Sequence, residues 1–285
     1  MNPFLAMVLA ATLWSTGGLF IKVLSLDPVS LAGWRSAVAA VALFGFARVH
    51  GVRVRLPREG LSWVAAVLYA AILMLFVGAA RNTTAANAIF LQYTAPIYVL
   101  LLEPWLLKTR FRFADLGFVA IALFGMSLFF LDGLGGGQLL GNVLALGSGL
   151  CYALFTLATR SRRHDEHARW QSITVGNALL AVAALGWFLV TPASMTLPAS
   201  GEEWASIVFL GVFQIGLAYA LFAYAIARLS ALETILLGML EPVLNPVWVF
   251  LGTGERPGAM ALVGAALIIA SIALRTRLES SPAAS

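Results

Sequence analysis

Ten apolar runs divide this chain, at 3–24, 28–47, 61–80, 83–107, 114–131, 139–159, 170–190, 204–227, 230–252 and 257–275. Crossing a bilayer as a helix takes roughly 17–25 apolar residues. Inside lipid every backbone amide has to bond within its own segment, so each run is expected to be helical. The alternation of a membrane barrel is absent. The connections are short and rich in Gly, Pro, Ser or charge: Asp27-Pro28, 53–59, 108–112, 133–137, 160–169 and 191–203. Composition agrees, because 61% of the residues are hydrophobic and 11% charged. Soluble domains carry roughly 25% charged residues; this chain cannot coat a water-facing surface, which excludes a soluble enzyme. The expected fold class is an all-α integral membrane protein with ten transmembrane helices. The first run has no basic segment before it, and Lys22 follows it, so it reads as a retained helix and not as a cleaved signal.

The cations set the direction of threading. With the N-terminus inside, the inner connections and C-terminal tail hold Arg48, Arg53, Arg55, Arg58, Lys108, Arg110, Arg112, Arg160, Arg162, Arg163, Arg169, Arg228, Arg275 and Arg277. The outer connections hold Lys22, Arg81 and Arg256, and Arg35 lies inside the second run. Loop acids divide evenly, as the positive-inside rule allows. Both termini are therefore expected in the cytoplasm of a cell with an inner (plasma) membrane. The net charge of +5 does not point to nucleic acid, since the cations sit in separate short loops. Cys151, the single cysteine, lies in an apolar run and reads as a packing residue.

Sliding the chain on itself by 146 residues matches Leu75-Phe76 with Leu221-Phe222, Ala79 with Ala225, Ala85 with Ala231, Ile89 with Ile235, Leu91 with Leu237 and Pro96 with Pro242. Roughly two or three matches are expected from so repetitive a composition. Each half would hold five spans, over 1–132 and 133–285. An odd number sends the second half in from the opposite side, which gives two inverted repeats. Transporters use that arrangement to open a midplane site to alternate sides.

Further residues carry a family resemblance. The second half has the stretch 221–231, then Glu241-Pro242-Val243 in mid-span, Leu251-Gly252, Gly254-Glu255-Arg256 and Gly264. The first has Thr83-Thr84-Ala85-Ala86, Ala95-Pro96-Ile97 and Gly117, with Trp34-Arg35 in the second span. These resemble the EamA domain of the drug/metabolite transporter superfamily, and YddG-type amino-acid exporters within it. The first half departs by having Lys108-Thr109-Arg110 where the family usually has Gly-Glu-Arg. The resemblance implies an inverted five-plus-five bundle around a central cavity lined by spans 1, 3, 4, 6, 8 and 9.

Candidate site residues follow from chemistry that is costly in lipid. Pro96, Pro104, Pro242 and Pro246 all fall inside spans 4 and 9, the repeat-related pair. Each interior proline removes a backbone bond and kinks its helix, which marks these spans either as moving gates or as ordinary kinked helices. Gln92 and Gly238 hold carbonyls freed in this way. Thr234, Gly238, Glu241 and Asn245 share one helical face. Glu241 must be paired or protonated at that depth; it could contact a substrate amine, carry a proton or serve packing. Arg35 could hold a substrate carboxylate or an internal acid, or could snorkel outward. Trp14, Tyr93, Tyr98, Tyr152, Phe155, Tyr219 and Phe222 are deep aromatics, suited either to an organic solute or to packing. Ser148, Tyr152, Phe155 and Thr159 share a face of span 6, while Gly17 and Gly18 beside Trp14 read as a close-contact or hinge pair. Trp63, Trp170 and Trp204 read as interfacial anchors.

The three histidines fall in loops, and no HExxH, GxSxG or P-loop pattern is present. A membrane enzyme is thus disfavoured, no metal or cofactor is expected, and no filter-like segment speaks for a channel. With Arg35 the one deep cation, the residues favour a neutral or zwitterionic cargo over a highly charged one, so the expected partners are a small solute of that kind and the lipid itself. The reading is a secondary exporter of small amphipathic metabolites, amino acids first, other neutral metabolites or drugs second. Protons as a coupling ion stay open, and a monomer suffices.

Overall fold

A computed structural model describes residues 1–17, 24–129, 131, 139–161, 165–192, 196–253 and 258–280. Gly18, the 133–137 stretch and the cations Lys22, Arg162, Arg163 and Arg256 lie outside the described residues. All the regular structure among them is helical. In chain order the helices are α1 (Pro3–Ser15), α2 (Pro28–Val49), α3 (Gly60–Asn82), α4 (Ala85–Gln92), α5 (Ala95–Leu107), α6 (Phe113–Phe129) and α7 (Leu139–Arg160). Then come α8 (Glu166–Val190), α9 (Gly201–Phe209), a π-helical segment (Leu210–Leu217), α10 (Ala218–Ile226), α11 (Ala231–Gly238), α12 (Leu240–Thr253) and α13 (Ala259–Ser280). Among the described residues, seven stretches are long and apolar enough to cross a membrane. In the other three apolar runs the described helix is shorter: α1, α6, and the divided pair α11 and α12.

Local chemistry starts these helices where lipid would otherwise meet bare amides. Asn2 caps α1 through the Phe4 N–H at 2.9 Å, with Pro3 behind it. Asp27 accepts from the N–H groups of Val29 and Ser30 at 2.9 and 3.1 Å, and Pro28 opens α2. Thr84, Asp165, Ser200 and Ser230 do the same for α4, α8, α9 and α11.

The helix ends form two faces. On one, Arg275 ties the end of α13 to Asp115 of α6 at 3.0 Å and to Ser230 at 3.2 Å. There too Ser172 of α8 donates to the Ser62 carbonyl of α3 at 3.1 Å, and Tyr224 donates to the Met1 carbonyl. On the other, Thr196 donates to Asp27 at 2.7 Å, Ser25 donates to Glu203 at 2.5 Å, and Thr83 donates to Asn142 at 2.8 Å. The cations expected inside that are described all belong to the first face.

Packing between the faces pairs α3 with α7 and α8, α2 with α8 and the π segment, α1 with α10, α11 and α12, α4 and α5 with α7, and α6 with α13. Glycines permit the closest approaches. A Cβ on Gly125 would stand 2.7 Å from the Gly264 carbonyl oxygen, and one on Gly264 would run into the Gly125 carbonyl oxygen and stand 2.7 Å from the Phe129 nitrogen. Trp170 departs from its expected place as an interfacial anchor: it is 6% exposed and stacks on His50, because the α2–α3 turn folds over the start of α8.

Two outcomes are expected. Gly264→Ala should destabilise the protein by about 1–3 kcal/mol through overpacking. Gly117→Ala, where a Cβ meets nothing within 4 Å, should not; equal melting temperatures for the two variants would contradict the close contact. At Asp27, burial pushes the carboxyl up, but the Ser30 and Thr196 hydroxyls and the Ser30 and Val29 N–H groups outweigh it and hold it below 3.8. Such a group stabilises the fold above its unfolded pKa, and that contribution is lost as pH falls through the lower folded value. Asp27→Ala should cost about 1 kcal/mol near neutral pH, and its deficit against wild type should shrink once pH drops below about 4. A deficit that persists unchanged in acid would refute this reading of the turn.

Candidate functional site

The fourth and ninth apolar runs are each broken into two helices, and the breaks face each other. In the fourth, α4 ends at Gln92, a turn at Tyr93–Thr94 follows, and Pro96 lies in the first turn of α5. Pro96 is therefore not an interior kink: a helix start has no bond for its missing N–H to lose. Pro242 likewise falls in the first turn of α12, whereas Pro104 and Pro246 are interior. Across the gap, the Tyr93 hydroxyl donates to Glu241 Oε2 at 2.7 Å and lies 3.1 Å from the Gly238 carbonyl oxygen. The Tyr152 hydroxyl sits over the same glycine, since a Cβ on Gly238 would stand 2.9 Å from it. Three polar groups thus meet where the ninth run breaks.

Beside them is a buried aromatic cluster contributed by four parts of the chain. Trp14 of α1 lies 5.0 Å from Tyr219 and 6.0 Å from Phe222, both of α10. Tyr69 of α3 packs edge-on to Tyr219 at 4.7 Å and against Phe155 of α7 at 5.4 Å. Phe155 and Phe222 stack at 5.7 Å. Tilted and edge-on pairs of this kind suit the ring quadrupoles.

Around this cluster several buried polar atoms have no hydrogen-bond partner among the described residues: Trp14 Nε1, Arg35 Nε, Tyr152 Oη and Gln214 Oε1. Arg35 is 6% exposed, so it does not snorkel, and among the described residues it makes no ion pair with an acid. It lies in electrostatic range of Tyr69, Tyr219 and Glu241. Gln214 sits on the π segment, reaches the Trp14 carbonyl at 3.4 Å, and would touch a Cβ on Gly17 at 2.7 Å.

Of the residues singled out from sequence, Trp14, Tyr93, Tyr152, Phe155, Tyr219 and Glu241 come together with Arg35 close by. Gln92 turns aside to donate to Ser148 at 2.8 Å. Thr234 spends its hydroxyl on the Ser230 carbonyl one turn back, and Thr159 on that of Phe155. Tyr98 packs half-buried against the core, and Asn245 is half-buried on α12. Tyr69, Gln214 and Asn177, which donates to the Tyr69 hydroxyl at 3.0 Å, were not singled out. A polar side chain in an apolar span was the available signal for Gln214 and Asn177; Tyr69 had none.

The bundle of long apolar helices defines a multi-pass membrane protein. The EamA-like transporter family matches it twice, over residues 1–131 and 139–277, and the chain belongs to that family. A probable terminal-alkyne amino-acid exporter of Streptantibioticus cattleyicolor is 28% identical, over 95% of this chain and 92% of that one. An uncharacterised transporter of Archaeoglobus fulgidus is 26% identical, over 95% of each. A solved crystal structure shares the fold with a TM-score of 0.79 at 20% identity, covering 98% of this chain and 99% of that one.

Tyr93→Phe should leave the Gly238 carbonyl and Glu241 short of a donor and lower stability by about 1–3 kcal/mol. Tyr98→Phe should stay within about 0.5 kcal/mol. Thermal melts in detergent test the pair, and the same loss in both would deny Tyr93 its bridging role.

Proposed function

We propose that this transporter exports small amphipathic metabolites, amino acids with aromatic or hydrophobic side chains foremost, by alternating access. The observation that carries the reading is the set of unpartnered buried polar atoms beside the aromatic cluster. Leaving such an atom unsatisfied costs about 1–3 kcal/mol, and a solute with a polar head and an apolar side chain would satisfy both parts. Arg35 is the proposed receptor for its carboxylate, the aromatic cluster for its side chain, and Glu241 with Tyr93 for its amine or for a coupling proton. The name of the Streptantibioticus cattleyicolor relative supports amino acids as the substrate class.

The proposed architecture is ten spans in two inverted five-helix repeats, 1–132 and 133–285, with both termini cytoplasmic in the inner membrane. The two family matches support it. So does the packing: exchanging the first five apolar runs for the last five turns α3–α7 into α1–α10, and α4/α5–α7 into α11/α12–α1. The Gly125–Gly264 contact is reciprocal in the same way. Motion would be concentrated at the two breaks, about Pro96 and Pro242, with Pro104, Pro246 and Gly17 as supporting bends.

Purified protein in liposomes should take up labelled amino acids, and Trp14→Ala with Tyr152→Ala should cut that uptake about tenfold or more, the equivalent of roughly 1.4 kcal/mol. If protons are coupled, a pH gradient should accelerate flux in wild type and not in Glu241→Gln. Flux no greater than in empty liposomes for every amino acid would overturn the substrate class, and flux indifferent to the gradient would remove Glu241 as a proton carrier.

A further inference from the structure

A cavity of about 360 Å³ opens on the cation-rich face between the α2–α3 loop and the start of α8. Arg53, Arg55 and Arg58 line it together with His167 and Ser62. Among the described residues none of the three guanidiniums is ion-paired. Two carboxylates, Glu59 and Asp165, also line the cavity, and Asp165 accepts from the Ala168 N–H at 2.7 Å, so the three guanidiniums outnumber the acids by one. An anion seated among the guanidiniums would offset their mutual repulsion. The loop that carries them is nonetheless held in place. Val52 is 4% exposed and donates to the Ala47 carbonyl at 2.8 Å, and Trp63 Nε1 donates to the Pro57 carbonyl at 2.8 Å.

Ser62 adds a neutral donor. It is 1% exposed and lines the cavity, while its carbonyl accepts from Ser172. Leu56 on the same loop is 71% exposed and Trp63 37%, which sets the mouth of the cavity where apolar surface meets charge. Planar guanidinium forks with a hydroxyl match the oxygens of a phosphate group, and basic pockets between membrane helices are suited to anionic headgroups.

We propose that this cavity binds a phosphate-bearing anion, supplied either by an acidic phospholipid headgroup or by a soluble phosphate. The full chain in neutral detergent would be titrated with dioleoyl phosphatidylglycerol, dioleoyl phosphatidylcholine and inorganic phosphate, with native mass spectrometry and melting temperature as readouts. Phosphatidylglycerol is expected to bind about tenfold or more tightly than phosphatidylcholine. The triple variant Arg53→Ala, Arg55→Ala, Arg58→Ala should lose that preference. A control triple on the same face, Lys108→Ala, Arg110→Ala, Arg112→Ala, should keep it. Phosphatidylglycerol binding that inorganic phosphate does not displace assigns the site to lipid. Saturable phosphate binding that the first triple abolishes, without lipid preference, assigns it to a soluble anion. Equal weakening by both triples, or binding of neither probe to wild type, would overturn the proposal, and the wild-type displacement arm decides the matter even if the first triple fails to fold.

Discussion

A backbone group that loses its helical partner inside a membrane has no water to replace it, and this constraint organises the centre of the molecule. The fourth and ninth apolar runs both break, so each break needs partners from elsewhere in the protein. The Gly238 carbonyl has the Tyr93 hydroxyl, and the same hydroxyl serves Glu241. The Gln92 carbonyl is pressed against α7, where a Cβ on Gly149 would stand 2.6 Å from it. Neither break is self-sufficient. They lie opposite each other and against α7, which puts both interrupted helices at one place between the faces.

That place is also where aromatic surface and uncommitted hydrogen-bonding capacity coincide. Rings from α1, α3, α7 and α10 wall one side, and Trp14, Tyr152, Arg35 and Gln214 hold polar atoms without partners. A bundle evolved for rigidity alone would pair or delete such groups, since each costs about 1–3 kcal/mol. The π segment contributes to the same economy: its wider turn carries Gln214 beside Gly17 and Trp14, and π-helical turns recur at functional sites.

Much of this was legible in the residues, because membrane helices advertise themselves. Apolar length identified the runs, and capping residues such as Asp27-Pro28 and Ser230 marked where several begin. The prolines located the breaks, although Pro96 and Pro242 turned out to open new helices. Side-chain destinations were harder to read. In a helix that is apolar all round, periodicity does not distinguish a lipid-facing from a buried position, so Tyr69 escaped notice and Trp170 looked like an anchor. Arg35 shows the same limit from the other side: its depth in α2 could be counted, but its failure to reach water or an acid depends on α3, α10 and α12, far away in the chain.

In the proposed function Arg35 receives the carboxylate of an amphipathic solute. Equilibrium binding of labelled L-phenylalanine to the purified protein tests it most directly, with Arg35→Gln as the variant and phenethylamine, which lacks the carboxylate, as competitor. Saturable binding to wild type is expected, with a loss of about tenfold or more in Arg35→Gln, as for a charged hydrogen bond of roughly 1.5–3 kcal/mol, and no competition by phenethylamine. Undiminished binding in Arg35→Gln, or phenethylamine competing as well as phenylalanine itself, would contradict it.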